Sequence, residues 1–340
     1  MTNKNSIFLV AELAQCSIST VSNVLNHKGR FGDATRDAVL QAVKKLGYQP
    51  NSVGRSLRLR RTEALGLLFY PSCAQVFRNP FYAEVMEGLE ETLSNAGYHL
   101  LLAGYEASIR TSDVPDFLQR GKVDGMILLG AFPTSIIHSF CSLNTPLVLV
   151  DSNVEWPVDS IVSDGFSAEV DIVSHLFALG HRQIVLLAYD MEDSNIDLRV
   201  QGFLAGLQQV GLPGGEEKVI RGFLSHHDIY DALKERLSGS NPPTAAIAIN
   251  DTLAMAMMSQ LAADGIRVPE QLSIVGYDDH AASARSIPAL STIRVDKAKL
   301  GRIGAEMILK RLEVPDSPVV KCRLPTDFVA RESVADRSGK

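Results

Sequence analysis

Several features are scarce in this chain of 340 residues. It holds four scattered cysteines and no CxxC pair, so neither a zinc site nor a disulfide framework is indicated. No run of about 18 apolar residues is present, which predicts that no segment spans a membrane. No small-residue cleavage site follows the apolar stretch at 7–14, so a secretory signal is not expected. A reducing cytoplasm is the expected location.

Catalytic patterns are also missing. Ser, His and Asp are frequent, but no GxSxG nucleophile motif occurs. The pair His226-His227 has no carboxylate at metal-ligand spacing and is expected at the surface. We therefore expect neither an enzyme nor a bound metal or other cofactor.

The charge of the chain is unevenly distributed. Residues 1–61 hold ten Lys and Arg and three Asp and Glu, a net charge of +7, which leaves −13 for the rest of a chain whose total is −6. A basic segment beside an acidic body is typical of nucleic-acid binding. A solvated helical face explains the same charge equally well, so charge alone leaves both interpretations open.

Short helices are predicted in the first fifty residues. Residues 10–14 form a compact apolar turn, and Ser17 is placed to cap a helix over 18–25. Thr35 is placed to cap a third helix, which Gly47 closes.

Strand-like and helix-like segments alternate from residue 64 onward. Strands are predicted at 65–69, 100–103, 125–129, 147–150, 161–162, 183–188, 219–221, 245–249 and 272–275. Helices are predicted at 81–96, 114–120, 168–179, 199–210, 228–237 and 252–263. The alternation restarts after Asp164, which predicts two doubly wound parallel sheets in two lobes. Ligands bind such sheets beyond the carboxyl ends of their strands.

Residues 17–26, SISTVSNVLN, resemble the headpiece of the LacI/GalR family of bacterial repressors. Further blocks resemble the family in order and spacing. They are TR at 35–36, LGYQPN at 46–51, RSL at 55–57, NPFYA at 79–83, VDG at 123–125, LGHR at 179–182, RVQGF at 199–203, ND at 250–251, GYDD at 276–279 and LSTI at 290–293. The resemblance extends from about residue 6 to about residue 334.

The resemblance implies a particular domain order. An all-α helix-turn-helix headpiece would cover 1–50 and a hinge helix with its linker 51–62. A two-lobed α/β body like the periplasmic binding proteins, with doubly wound parallel sheets, would cover 63–340. The lobes would comprise about 63–163 with 294–322, and about 164–293 with 323–336. The family further implies a homodimer on a palindromic operator, controlled by a small-molecule effector. No C-terminal leucine heptads are present, so a tetramer is not expected.

The N-terminal residues of a recognition helix meet base edges. Ile18, Ser19 and Asn23 would hold these positions; Asn pairs with adenine, whereas Ile touches groups such as the thymine methyl. Further DNA contacts are expected from Thr20, Ser22, Asn26, Arg30, Tyr48, Asn51 and Arg55. Leu57 matches the hinge residue that wedges into the central base step. A core position for Ile18 and a linker-packing role for Leu57 remain open.

Three positions depart from the family pattern. Asn23 stands where Arg is frequent, which predicts an altered operator preference. Gly54 replaces the usual Ala and costs the hinge helix about 1 kcal/mol of propensity. Leu9 removes an acidic cap before the first helix, which predicts a less stable headpiece.

Polar residues converge by family position in the body. The expected effector contacts are Phe81, Tyr82, Asp151, Arg199, Asn250, Asp251 and Asp278. A guanidinium, an amide and carboxylates suit the hydroxyls of a sugar, and the two aromatic residues supply an apolar face. A structural network of salt bridges between the lobes is the alternative interpretation.

The purine-responsive branch of the family is the nearest rival. Ser152 and Ile247 occupy positions where that branch has aromatic residues, and Asp193 stands where it has Arg. A sugar or sugar derivative is therefore the expected effector. A periplasmic-type solute-binding module is the next hypothesis, which the basic headpiece opposes. A sugar-acting α/β enzyme is the third, and it would need a catalytic base in the cleft.

Overall fold

A computed structural model describes residues 6–25, 31–48, 61–70, 77–104, 121–222 and 226–339. It divides the chain into two compact units, Met1–Thr62 and Glu63–Lys340. Some of the positions singled out above lie outside the described residues. These are Asn26, Arg30, Asn51, Gly54, Arg55, Leu57 and the helix expected at 114–120.

The described residues of the first unit form three helices: α1 (Ile7–Leu13), α2 (Ile18–Leu25) and α3 (Asp33–Leu46). Val10, Val21 and Val39 are fully buried and form the centre of a small shared core. Helices α1 and α2 meet at 101°, an angle typical of a helix-turn-helix. Among the described residues no single helix is long and apolar enough to cross a membrane; α1 and α2 meet that test only when taken together.

Two of the predicted helix ends in this unit are confirmed. The hydroxyl of Ser17 accepts a hydrogen bond from the backbone N–H of Thr20 at 3.1 Å and so caps α2. Gly47 ends α3 with a φ of 57°, a left-handed conformation that glycine adopts without steric cost.

Two predicted helix starts were wrong. Helix α3 begins at Asp33, so Thr35 lies within its first turn rather than at its cap. Helix α1 begins at Ile7, so Leu9 also lies within a first turn. Ser6 is the residue before α1, and its side chain makes no capping hydrogen bond. The start of α1 is thus uncapped, but at Ser6 rather than at Leu9.

In the second unit the described residues form two six-stranded sheets flanked by helices. Its elements are β1 (Ala64–Phe69), α4 (Pro80–Asn95), β2 (His99–Gly104), β3 (Gly125–Leu129), α5 (Thr134–Cys141), β4 (Leu147–Val150), β5 (Asp159–Ser163), α6 (Gly165–Ala178), β6 (Ile184–Tyr189), α7 (Ser194–Gln209), β7 (Val219–Gly222), α8 (His226–Leu237), β8 (Ala245–Ala248), α9 (Asp251–Ala263), β9 (Ser273–Asp278), β10 (Ser291–Arg294), α10 (Lys297–Glu313), β11 (Lys321–Leu324) and β12 (Asp327–Val329). Short 3-10 turns lie at Glu216–Lys218 and Ser283–Arg285.

The strand orders define two lobes. The first sheet runs β11-β5-β4-β3-β1-β2 and is parallel throughout. The second runs β12-β10-β9-β8-β6-β7, with only β12 antiparallel to its neighbour. Central strands such as β3 and β8 are buried along their whole length, as expected for sheets covered on both faces. The doubly wound fold predicted from the alternation is therefore present in both lobes.

The chain crosses between the lobes three times, after β5, after β10 and after β11. Helix α10 returns to the first lobe and packs against α4, where backbones touch: a Cβ added at Gly301 would lie 2.0 Å from the carbonyl oxygen of Val85. Because β11 ends at Leu324, the boundary expected at 322/323 falls inside a strand of the first sheet. The later segment of the first lobe therefore runs from the start of α10 at 297 to the end of β11 at 324, instead of the expected 294–322.

Candidate functional site

The exposed face of α2 is the candidate DNA-contact surface of the first unit. Ile18 is 39% exposed at the start of the helix, which argues against the core position left open above. Ser19 is exposed, and Asn23 is half-buried one turn further on. A base-reading helix presents its first turn in this way, and base contacts of these three residues stay a prediction.

Hydroxyl groups cluster beside these residues. The Ser17 hydroxyl lies 2.7 Å from that of Ser19 and 2.9 Å from that of Thr20, and Ser22 is half-buried on the same helix. Tyr48 differs from its prediction, because it is only 9% exposed and its ring belongs to the core of the unit. The structure gives that ring a packing role, and a phosphate contact stays a prediction for the hydroxyl alone.

Buried and half-buried polar side chains meet where the two lobes face each other in the second unit. We call this set the interlobe cluster: Tyr82, Asp151, Asp193, Asn195, Arg199 and Asp278. Asp151 follows β4 directly and Asp278 ends β9, so both lie at carboxyl ends of parallel strands. Ligands of open α/β sheets bind at these ends, which makes the cluster the candidate small-molecule site.

Asp151 connects the lobes. The Tyr82 hydroxyl donates to its Oδ2 at 3.2 Å from the first lobe. The Asn195 amide donates to its Oδ1 at 3.1 Å and to its backbone oxygen at 2.9 Å from the second. Burial, together with the nearby charges of Asp193 and Asp278, raises the pKa of Asp151 to about 8, although Arg199 opposes the shift.

Arg199 lies on α7 and supplies the positive charge of the cluster. Its guanidinium stacks on the ring of Tyr277, 3.7 Å from the ring centroid, and donates to the backbone oxygen of Ile249. The Tyr277 hydroxyl in turn donates to the Ser163 hydroxyl of the first lobe at 2.9 Å. The Nε of Arg199 is buried and has no hydrogen-bond partner.

Asp278 has an unusual backbone, with a φ of 114°. The ammonium of Lys297 holds this conformation by donating to its backbone oxygen at 2.8 Å, and it lies 3.3 Å from Glu84 of the first lobe. His280 lies 3.5 Å from the Asp278 carboxylate. Asp151 also has a left-handed backbone, with a φ of 59°. Such strain persists only where the surroundings enforce it, and it is concentrated at functional sites.

Three predicted effector residues, Phe81, Asn250 and Asp251, have other roles in the structure. Phe81 is only 4% exposed and packs in the core of the first lobe, so it does not form an apolar face of the site. Asn250 caps α9, and its Oδ1 accepts from the N–H of Leu253 at 2.8 Å. The first role of Asn250 is therefore to cap α9, although its amide N–H groups remain able to donate to a ligand.

Asp251 is the clearest correction. It is fully buried and accepts from the backbone N–H of His280 at 2.8 Å and from the hydroxyls of Ser283 and Thr292, each at 2.5 Å. Both oxygens are therefore occupied within the second lobe. Asp251 is a structural anchor that joins α9 to the segment after β9, and we no longer expect it to contact an effector.

Asn195 and Glu169 were not predicted from the sequence. Asn195 follows an Asp at a helix start, a pattern that predicts a cap but not a bridge to the other lobe. Glu169 lies on the buried face of α6 and is fully buried, with both carboxylate oxygens unpartnered. An acid among apolar residues at helical spacing was the signal that could have identified it.

The geometry defines a class of protein: a helix-turn-helix unit followed by a two-lobed α/β body with a polar interlobe site. The family model for bacterial regulatory proteins of the lacI family matches residues 7–51, and the model for a periplasmic binding protein-like domain matches 173–334. No cluster of His, Cys, Asp and Glu in the described part of the chain could hold a metal ion.

Similar proteins extend this assignment over the whole chain. The HTH-type transcriptional repressor PurR of Pasteurella multocida is 30% identical over 96% of this chain and 98% of its own. A lac repressor dimer bound to operator and the anti-inducer ONPF has a TM-score of 0.83 at 25% identity, covering 97% and 99%. The CelR–cellobiose complex has a TM-score of 0.74 at 27% identity, covering 96% and 99%. The chain belongs to the LacI family, and it is a DNA-binding transcriptional repressor rather than an enzyme.

The anchor role of Asp251 predicts a stability effect. Asp251→Asn replaces an acceptor oxygen with an NH2 group that faces hydrogen-bond donors, so we expect a loss of about 1–3 kcal/mol in the free energy of unfolding. Denaturant unfolding measures it. Asp197→Asn, an exposed position on α7, is the control and should change little. Equal stability of the two variants would contradict the anchor role.

Glu169 predicts a pH effect. Burial raises its pKa to about 8, and the charge of Arg199 only partly opposes this. Between about pH 4.5 and 8 the folded state retains a proton that the unfolded state releases, so this group makes stability fall as pH rises through that window. Glu169→Gln mimics the neutral acid, so it should raise the thermal midpoint at pH 8 and change it little at pH 5. Asp171→Asn, an exposed position on the same helix, is the control and should not raise the thermal midpoint at either pH. A midpoint gain that is equal at both pH values would refute the prediction.

Proposed function

We propose that this repressor acts as a homodimer on a palindromic operator, and that a sugar or sugar derivative bound in the interlobe cluster controls its operator affinity. The single observation that carries the effector proposal is the cluster itself. Asp151 and Asp278 lie buried at the carboxyl ends of strands and Arg199 lies buried on α7, so charged hydrogen-bonding groups come from both lobes. Hydroxyl groups, which both donate and accept, match such a set.

A purine is the rival effector, since the chain is 30% identical to PurR. A planar base needs a free aromatic face for stacking. The Arg199 guanidinium covers one face of the Tyr277 ring, and Tyr277 is fully buried. Ser152 and Ile247 are both buried and not aromatic. These contacts favour a saccharide, as does the similarity to a regulator in complex with cellobiose.

A second copy of the chain is the proposed occupant of an exposed apolar surface on the second lobe. Ile287 is 96% exposed, and it lines a shallow depression with Met255, Met258 and Ala282. A helix-turn-helix that reads two half-sites of a palindrome requires two headpieces. The similar lac repressor structure is that of a dimer.

Operator binding tests the DNA half of the proposal. A palindrome selected from random DNA should bind far more tightly than random sequence at physiological salt, with an affinity that falls steeply as salt rises, because phosphate contacts release counterions. Asn23→Ala should cost about 1–3 kcal/mol at the base it reads. Fluorescence anisotropy measures both effects, and Asn95→Ala on α4 is the control. No preference for any palindrome over random DNA would refute the proposal.

The dimer is tested separately. Ile287→Asp places a charge on the proposed apolar interface, so we expect it to convert the protein to monomers and to weaken operator binding at least tenfold, as loss of the second headpiece requires. Analytical ultracentrifugation measures the change in mass. Val314→Asp, at an apolar residue exposed after α10, serves as the control and should remain dimeric. A dimeric Ile287→Asp variant would exclude this surface as the interface.

A further inference from the structure

Hydrogen-bond acceptors exceed donors around Asn195. Asn195 is only 7% exposed and contacts two carboxyl groups. Its side-chain Nδ2 donates to Asp151 Oδ1 at 3.1 Å, and its backbone N–H donates to Asp193 Oδ1 at 2.8 Å. The two acids therefore flank one residue at the start of α7. Their charges repel each other in a site that is largely removed from water.

The orientation of the Asn195 amide is fixed by its partners. Both groups that face Nδ2 are acceptors, the backbone oxygen and Oδ1 of Asp151, so the nitrogen must lie on that side. Its Oδ1 is consequently left buried and without a hydrogen-bond partner. A buried acceptor without a donor costs about 1–3 kcal/mol, which a ligand donor would recover.

The only cation of the cluster does not neutralise these acids by direct contact. The Arg199 guanidinium is held against the Tyr277 ring and the Ile249 backbone oxygen. Within the described part of the chain, no ion pair joins Arg199 to Asp151 or to Asp193. With Asp278 included, the cluster holds three carboxyl groups and one guanidinium.

We propose that the effector carries a positively charged amino group, as an amino sugar does, and that this group binds between Asp151, Asp193 and the Oδ1 of Asn195. The inference rests on the proposed function and specifies the class of sugar. An ammonium group offers three N–H donors and no acceptor, which suits the two carboxyl groups that Asn195 contacts and its own unpartnered Oδ1. Anionic ligands such as sugar phosphates are excluded by repulsion from the same carboxyl groups.

Binding of an amine should also release a proton. Asp151 has a pKa of about 8 without ligand, so it is largely protonated at pH 7. A bound ammonium stabilises the carboxylate and lowers that pKa, so one proton leaves as the ligand binds. Affinity for the amine should therefore rise up to about tenfold from pH 6 to pH 7. A neutral sugar that accepts a hydrogen bond from the protonated acid should bind almost equally well at pH 6 and pH 7, because the acid stays largely protonated over this range.

The test compares ligands that differ in charge. Isothermal titration of the full-length protein uses glucosamine, galactosamine and mannosamine, each with its parent sugar and its N-acetyl derivative, and with guanine and hypoxanthine as purine probes. We expect one amino sugar to bind at least tenfold more tightly than its parent and its N-acetyl form. Titration in two buffers of different ionisation enthalpy should show release of a proton.

A variant pair assigns the effect to the site. Asp193→Asn removes the charge and keeps a side chain that caps α7 equally well, so the ratio of amine affinity to neutral-sugar affinity should fall about tenfold. Asp197→Asn, exposed one turn along the same helix, should keep that advantage. Circular dichroism and thermal melts establish that both variants are folded.

Three results would overturn the inference: equal binding of the amine and its N-acetyl form, tighter binding of a purine, or no binding by any of these compounds. The operator titration of the same preparation separates this failure from failure of the proposed function. If palindrome preference holds without an amine preference, only the inference about the amino group is wrong. If the palindrome preference is itself absent, the proposed function fails.

Discussion

The structure of the body depends on one buried carboxyl group, that of Asp151. Tyr82 donates to it from the same lobe and Asn195 from the second lobe, so the Asn195 contact exists only when the lobes are together. A buried acid must be hydrogen-bonded or neutral, because an isolated charge in a dry site is strongly unfavourable. Lobe closure adds the second donor, and it is therefore linked to the charge state of Asp151.

Other contacts across the lobes fix the remaining parts of the cluster. Tyr277 joins Ser163, and Lys297 joins the Asp278 backbone to Glu84, next to the segments where the chain crosses between lobes. Because Lys297 is nearly fully buried, its hydrogen bonds must be made within the protein. They hold the backbone of Asp278 in its strained conformation, which directs its carboxylate into the site.

The strands were predictable because buried parallel strands are short apolar runs: β3 and β4 match the predictions at 125–129 and 147–150 residue for residue. Helix α10 and the last two strands were not read from periodicity. Helix α10 alternates basic and apolar residues, and its place is set by glycine contacts with α4 that lie far away in sequence. The exchange of β11 and β12 between the two sheets is likewise a matter of topology.

The candidate site was predictable only in part, for the same reason. Asp151, Arg199 and Asp278 meet where the family pattern placed them, but Asp251 and Phe81 do not face the site. A sequence motif gives the position of a polar side chain along a strand or helix, whereas its partners decide its role. Asp251 is satisfied by three groups of its own lobe. Asn195 was missed because its contact joins residues 44 positions apart in the chain.

The unpartnered polar groups of the cluster determine which arrangement of the lobes a ligand favours. The Oδ1 of Asn195 and the Nε of Arg199 are buried without partners when the lobes are together. Their burial makes this arrangement less favourable than it would be with a ligand that supplies a donor to one and an acceptor to the other. Such a ligand binds the closed arrangement more tightly than any arrangement in which these groups are in water. Differential affinity of this kind is what allows a ligand to shift a conformational equilibrium, and the same buried polar groups that make the empty site costly therefore make it responsive.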